Sequence, residues 1–224
     1  MLVLNGKFQL SWIIILGIVF LIGFSMMALL FSQNEVTAFD RAIIAFVQGL
    51  ESPSLTAVMK FFTFIGSFKA IIVISLFTMA LLYAVLKHRI ELILFTIVLV
   101  GTPILNRLLK EFFQRARPDL HRLIEIGGYS FPSGHAMNAA SMYGILAFLL
   151  WRHIPTRWGR SLLIIFSSAM IVTIGISRIY LGVHYPSDII AGYLASGCWL
   201  AITIAVFQRY QEKRSSFRVD RNSA

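Results

Sequence analysis

The chain has 224 residues, enough for one domain of ordinary size, and is 58% hydrophobic with 13% charged residues and a mean hydropathy of +0.78. A soluble globular domain carries about 25% charged residues, so this composition excludes one and defines an integral membrane protein. The net charge of +10 lies mostly between or beside apolar runs, with no DNA- or RNA-binding motif; it reads as a topology signal and an attraction to anionic headgroups.

A helix crossing the hydrocarbon core needs about 20 mostly apolar residues. Six stretches qualify, roughly 11–32, 69–87, 91–112, 135–152, 160–179 and 187–208. The expected fold class is therefore all-α: one integral membrane bundle of six transmembrane helices, a single domain over 1–224. Lys7 precedes the first run as in a signal peptide, but the run is too long for such a segment and no small-residue cleavage site follows, so it is read as a retained span. Between the first two spans, Phe39, Ile43, Phe46, Val47 and Leu50 form the stripe of an amphipathic helix. Ser54 is placed to cap a second short helix carrying Val58, Phe62 and Ile65. Both are expected in the interface or packed on the bundle. The lone Cys198 lies mid-run and reads as packing.

Six spans put both termini on one side. That side holds 11 basic residues: Lys7, Lys87, Arg89, Arg152, Arg157, Arg160, Arg209, Lys213, Arg214, Arg218 and Arg221. The other holds 9, or 6 once Lys110, Arg117 and Arg178 are set aside for another role. The positive-inside rule then places the termini in the cytoplasm.

Three charged segments fall at the opposite face: "KEFFQRARP" after the third span, "PSGH" opening the fourth, and "SRIYLGVHYPSD" joining the fifth to the sixth. Each has a plain reading: snorkelling cations at Lys110 and Arg117, an N-cap at Ser133, a surface pair at His184 and Asp188. Their convergence favours a site. Lys110 and Arg117 are seven residues apart, nearly two turns, so a continuing helix would share their face; Pro118 disfavours helix at Arg117 and bends the chain, a bend that can itself turn the guanidinium toward the lysine. Arg178 is a third cation, and Ser133 and Gly134 stand where unpaired N–H groups of a helix start make an anion site. His184 and Asp188 stand at i and i+4, with Pro186 suited to a first helical turn. A carboxylate in that position holds one imidazole nitrogen as N–H and leaves the other free to attack. His135 lies beside the same anion, placed to protonate a leaving oxygen. The combination describes phosphoryl transfer.

Nothing here calls for a metal or another cofactor. There are ten acidic residues, no aspartate pair at ligand spacing, and two histidines that would need a third ligand; Asp119 is available but flanked by cations. His88 and His153 fall in cytoplasmic loops, and His121 reads as a loop residue. Gly127, Gly128, Tyr129 and Phe131 either shape the entrance or form a flexible linker.

At these residues the sequence resembles the type 2 phosphatidic acid phosphatase superfamily, which includes membrane lipid phosphatases, soluble acid phosphatases and vanadium haloperoxidases. The pattern's three parts are complete: K-x6-R-P at Lys110–Pro118, P-S-G-H at Pro132–His135 and S-R-x5-H-x3-D at Ser177–Asp188. The resemblance covers the third to sixth spans. It implies a phosphohistidine at His184, orientation by Asp188, protonation of the departing alcohol by His135, and phosphate held by Lys110, Arg117, Ser133, Gly134 and Arg178. The short chain looks like the bacterial phosphatidylglycerophosphatase B-type branch, whose members act on phosphatidylglycerol phosphate, phosphatidate or undecaprenyl diphosphate. The expected partners are the bilayer and a membrane lipid phosphate, with no nucleic acid and no obligate protein partner. Undecaprenyl diphosphate is the rival substrate. A lipid or ion transporter is the rival class, and a vanadate-dependent oxidation carries little weight because those relatives are soluble and far larger.

Overall fold

The computed structural model of the chain describes residues 6–33, 35–86, 89–119 and 121–223; the side chains of 6–9, 85, 86, 89 and 215–223 are also outside that description. Lys87 and His88 therefore lie outside the described residues, as do the side chains of the topology cations Lys7, Arg89, Arg218 and Arg221.

Among the described residues the chain is all helix and loop. In order the helices are α1 (Gly6–Ser32), α2 (Thr37–Gln48), α3 (Pro53–Ile65), α4 (Phe68–Leu86), α5 (Arg89–Phe113), α6 (Gly134–Trp151), α7 (Arg157–Tyr180) and α8 (Pro186–Ser223). Four carry stretches long and apolar enough to cross a membrane: Leu10–Ser32, Ile90–Phe113, Arg157–Tyr180 and Pro186–Arg214. The pair α2–α3, bent by 120°, counts as a fifth if taken as one broken or re-entrant span. Two of the six expected spans fall short by this measure. The stretch 69–87 corresponds to α4, of which only Phe68–Ala84 is described with its side chains; that part is apolar but under the length counted here. The stretch 135–152 corresponds to α6, which carries His135, Asn138 and Ser141 near its start. That helix needs less apolarity toward lipid because it is central: it packs against α5, α7 and α8, and its buried face includes Met137, Met142, Ile145 and Leu149.

Helices in lipid gain little from the hydrophobic effect against one another, so close packing and interhelical hydrogen bonds hold the bundle. Ile71, Leu82, Leu94, Phe95, Val98, Met142, Ile145 and Leu149 form the main core between α4, α5 and α6. Thr102 of α5 donates to Ser141 of α6 at 2.8 Å, and Trp199 of α8 donates from its ring nitrogen to the Val98 carbonyl at 3.1 Å. Each such bond is worth about 1 kcal/mol net.

The segment between the first two spans forms two short helices packed on the bundle, but α2 is rotated from its apolar stripe and α3 starts at a different cap. Ile43 and Val47 pack inward beside Ile44, Ile179 and Ile189, whereas Phe39, Phe46 and Leu50 are exposed. In a membrane protein an apolar face has no need to turn inward. The rotation of α2 is instead fixed by Asp40, 1% exposed, which finds its partners inside. In α3 the cap is Ser52 rather than Ser54: Pro53 takes the first helical position, and the Ser52 hydroxyl accepts the Leu55 N–H at 3.3 Å. Phe62 and Ile65 then pack on Tyr143 and Ile174. The start of α3 is tied to the end of α7 by a 2.8 Å hydrogen bond between the Thr56 and Tyr180 hydroxyls.

Candidate active site

Helix α7 ends with Arg178 in its last turn, and Leu181 caps it. Gly182, at φ +72, reverses the chain in the left-handed region that only glycine enters without strain. His184 follows, and Pro186 starts α8. Asp188 then stands at the third position of α8, and its Oδ2 reaches back to accept the Tyr185 N–H at 2.9 Å, half of a capping box. The cap fixes the carboxylate, and the same Oδ2 lies 3.3 Å from His184 Nδ1. The Ser130 hydroxyl donates to this oxygen and sits 3.3 Å from the same ring nitrogen. His184 is 2% exposed and Asp188 fully buried.

On the ring's other side, Arg117 Nη1 lies 3.0 Å from His184 Nε2. A guanidinium can only donate, so Nε2 must accept and the imidazole proton belongs on Nδ1, toward Asp188. Burial, and then the charges of Arg178, Arg117 and Lys110, hold this imidazole well below its usual value. His184 is thus neutral, with its free lone pair facing the cations.

Those cations line a cavity of about 250 Å³ that contains Lys110, Arg117, Gly134, His135, Arg178 and His184. Helix α5 does not continue to Arg117 but ends at Phe113, where Gln114 adopts φ 48, a left-handed helix terminus. The loop nevertheless returns Arg117 to the lysine's side. Backbone carbonyls aim the cations: Lys110 donates to Tyr129, while Arg117 donates to Gly128 at 3.0 Å and Val183 at 2.8 Å. Arg178, 1% exposed, donates to the Thr63 hydroxyl, and its buried Nε has no partner among the described residues. Ser133 caps α6 by accepting the Ala136 N–H, and its own N–H donates to the Asp188 carbonyl at 3.1 Å, which joins two of the charged segments directly. Gly134 lets α5 come close, since a Cβ there would stand 2.9 Å from Asn106 Oδ1. The His135 ring lines the cavity.

All eight residues singled out from sequence meet at this one end of the bundle. Lys110, Arg117, Gly134, His135, Arg178 and His184 line the cavity, with Ser133 and Asp188 one layer behind. One further expectation resolves differently. Phe131 is no entrance or linker residue: it is fully buried among Phe24, Phe31 and Phe113. His121 is a surface residue paired with Glu51 at 2.8 Å. Among the described residues, no three His, Cys, Asp or Glu side chains gather as a metal ligand set.

Sequence reasoning missed four side chains that touch the site: Asp40, Thr63, Arg115 and Ser130. Only Arg115 carried a local signal, a second arginine inside the spacer of K-x6-R-P. The others are brought in by tertiary contacts from segments without charge patterning.

A neutral, carboxylate-oriented histidine facing three cations and a helix start is built for transferring a phosphoryl group, and its setting among apolar helices makes the protein a membrane phosphatase. The comparisons with known proteins narrow the class. Residues 71–212 match the PAP2 superfamily. Phosphatidylglycerophosphatase B of Bacillus subtilis (strain 168) is 33% identical over 172 residues, 76% of this chain and 84% of that one. The putative undecaprenyl-diphosphatase YbjG of Escherichia coli (strain K12) is 39% identical over 90 residues, 37% of this chain and 41% of that one. The crystal structure of the first transmembrane PAP2 type phosphatidylglycerolphosphate phosphatase from Bacillus subtilis superposes with a TM-score of 0.78 at 30% identity, covering 88% of this chain and 96% of that one. The chain belongs to the PAP2 superfamily and is a multi-pass membrane lipid phosphatase of that family.

Proposed function

We propose that the protein hydrolyses phosphatidylglycerol phosphate to phosphatidylglycerol and phosphate through a phosphohistidine on His184. The observation that carries this reading is the His184 ring, with Nδ1 beside Asp188 and Nε2 facing the cationic cavity. In the first step His184 Nε2 forms a bond to phosphorus as the bond to the lipid oxygen breaks, and His135 delivers a proton to that oxygen. In the second step water attacks the phosphohistidine, His135 takes the water's proton, and phosphate leaves. Lys110, Arg117, Arg178 and the N-terminus of α6 at Ser133 and Gly134 stabilise the phosphoryl oxygens through both steps. The negative charge is met by side chains and backbone, so the mechanism calls for no metal.

The choice of lipid rests on the similarity to the Bacillus subtilis phosphatidylglycerophosphatase B sequence and to the Bacillus subtilis phosphatidylglycerolphosphate phosphatase structure, of which this chain covers 84% and 96%. The match to YbjG favours a second reading, undecaprenyl diphosphate, whose terminal phosphate fits the same cradle. In keeping with the positive-inside count, we place both termini in the cytoplasm and the active site at the outer face of the cell membrane, with α4 and α6 completing a six-span single domain.

Phosphate release from a panel of phosphatidylglycerol phosphate, phosphatidate and undecaprenyl diphosphate, with and without chelator, on wild type and His184→Ala, tests the whole reading. Wild type is expected to release phosphate regardless of chelator, with the highest kcat/KM on phosphatidylglycerol phosphate; His184→Ala is expected to be inactive. Full activity in His184→Ala would sink the mechanism. A preference for undecaprenyl diphosphate would transfer the assignment to the second reading. Release by purified protein in detergent, with no membrane to cross, also separates a phosphatase from a transporter.

A further inference from the structure

Asp188 has a second oxygen, and it is not idle. While Oδ2 serves His184, Ser130 and the Tyr185 N–H, Oδ1 receives Arg115 Nη1 at 2.7 Å. The same Nη1 donates to the Ser187 hydroxyl at 2.7 Å, and Nη2 reaches Asp40 Oδ2 at 2.8 Å. Asp40 in turn accepts the Ser187 N–H at 2.8 Å and its hydroxyl at 2.6 Å. Two rings flank the guanidinium, Phe31 at 4.5 Å and Tyr185 at 4.0 Å from centroid to carbon. Arg115 is thus held at both Nη atoms and beside two rings, and it does not line the phosphate cavity.

A buried charge is costly unless its partners are complete, and here one planar fork completes two carboxylates that are 1% exposed or less. Partners on Oδ2 alone would still let the Asp188 carboxylate pivot about that oxygen. Anchoring Oδ1 removes that freedom. Helix α2 contributes Asp40, which fixes the fork itself.

We propose that Arg115 and Asp40 are positioning residues of the reaction: Asp40 on α2 holds Arg115, and Arg115 holds Oδ1 of Asp188 so that Oδ2 stays aimed at His184 Nδ1. The proposal rests on His184 being the nucleophile and Asp188 its orienting acid. It also gives α2 a part in the chemistry that its sequence pattern does not disclose.

The test is a double-mutant cycle on the full chain in detergent, reading phosphate release from a soluble aryl phosphate. Arg115→Lys keeps the charge but offers one ammonium where the fork served two carboxylates. It is expected to lower kcat by about 10- to 100-fold, with KM within about twofold, because it displaces the histidine without touching the phosphate sites. In the Asp188→Asn background the same change is expected to lower kcat by less than about twofold, since the group through which it acts is already lost. Asp40→Asn is the milder arm, isosteric but uncharged; a loss of about 3- to 10-fold is expected, again only when Asp188 is present. Equal losses in both backgrounds, or a loss confined to KM, overturn the proposal. Failure of both variants to fold makes the network a staple between α2 and α8 and overturns it as well. An Asp188→Asn enzyme with wild-type kcat is a different result: it removes the nucleophile–acid reading underneath, and this proposal with it.

Discussion

Three glycines near the site allow the backbone's contribution to be separated term by term. Gly182 sits two residues before His184 at φ +72, and a Cβ there would lie 1.9 Å from the His121 carbonyl oxygen and 3.0 Å from Gln48 Nε2. Gly128 has nearly the same backbone, φ +74, but among the described residues nothing lies within 4 Å of the added carbon. Gly127 has open space too and is not among the positive-φ glycines. Alanine at Gly127 is therefore expected to change stability by less than about 0.5 kcal/mol. At Gly128 it carries only the left-handed penalty, about 1 kcal/mol. At Gly182 it carries the same penalty and also displaces the His121 carbonyl, which Gln48 holds at 2.8 Å; with that bond lost, the total is about 3 kcal/mol. At roughly 2–4 °C per kcal/mol for a chain of this size, the apparent Tm should fall by about 2–4 °C for Gly128→Ala and about 6–12 °C for Gly182→Ala. Fluorescence-detected thermal unfolding in one detergent, at one scan rate, measures all three. A Gly182→Ala midpoint no lower than that of Gly128→Ala would refute the reasoning.

Three more outcomes concern the chemistry. His135→Ala should lower kcat/KM on a lipid phosphate by about 10²- to 10⁴-fold but on an activated aryl phosphate by less than about tenfold, because only the poor leaving group needs the proton; equal losses on both substrates would contradict its role. Ser130→Ala removes one charge-assisted hydrogen bond from Asp188, worth about 1.5–3 kcal/mol, and should reduce kcat by about tenfold in steady-state assays with little change in KM. The third is pH-dependent stability. Folded His184 is held well below 6.5 by burial and three cations, so as pH falls the unfolded chain takes up the proton first. The unfolded state then binds more protons, and stability declines below about pH 6.5, by up to about 1.4 kcal/mol per pH unit. Wild type should lose more apparent Tm between pH 7.5 and 5.5 than His184→Asn does, and equal losses would contradict it.

The site was more legible in the sequence than the bundle around it. Lys110, Arg117, His135, Arg178, His184 and Asp188 are ionisable groups beside apolar runs, and in a membrane protein such expense marks function by itself. Their meeting needed only a topology that puts the three segments at one end. Asp40 and Thr63 gave no comparable signal, because a lone aspartate or threonine on a short helix is ordinary until the fold supplies its partner. The stripe on α2 misled for a related reason. Burial of apolar residues sets helix rotation in water, but with lipid outside, the single Asp40–Arg115 ion pair outweighs Phe39, Phe46 and Leu50. Span counting from hydropathy met the same limit at α6. The helix lies at the centre of the bundle, and its first turns bear the site's polar residues rather than a lipid-facing surface.

The central claim is a covalent phosphohistidine at His184, and the most direct measurement is to trap it. The enzyme is mixed with a phosphorus-labelled aryl phosphate, quenched in alkali within milliseconds and separated from free substrate. The account predicts a base-stable, acid-labile label on the wild-type chain, a larger amount on His135→Ala because water attack is slowed, and none on His184→Ala. Label on His184→Ala, or its absence from both wild type and His135→Ala while phosphate is still released, would contradict the account.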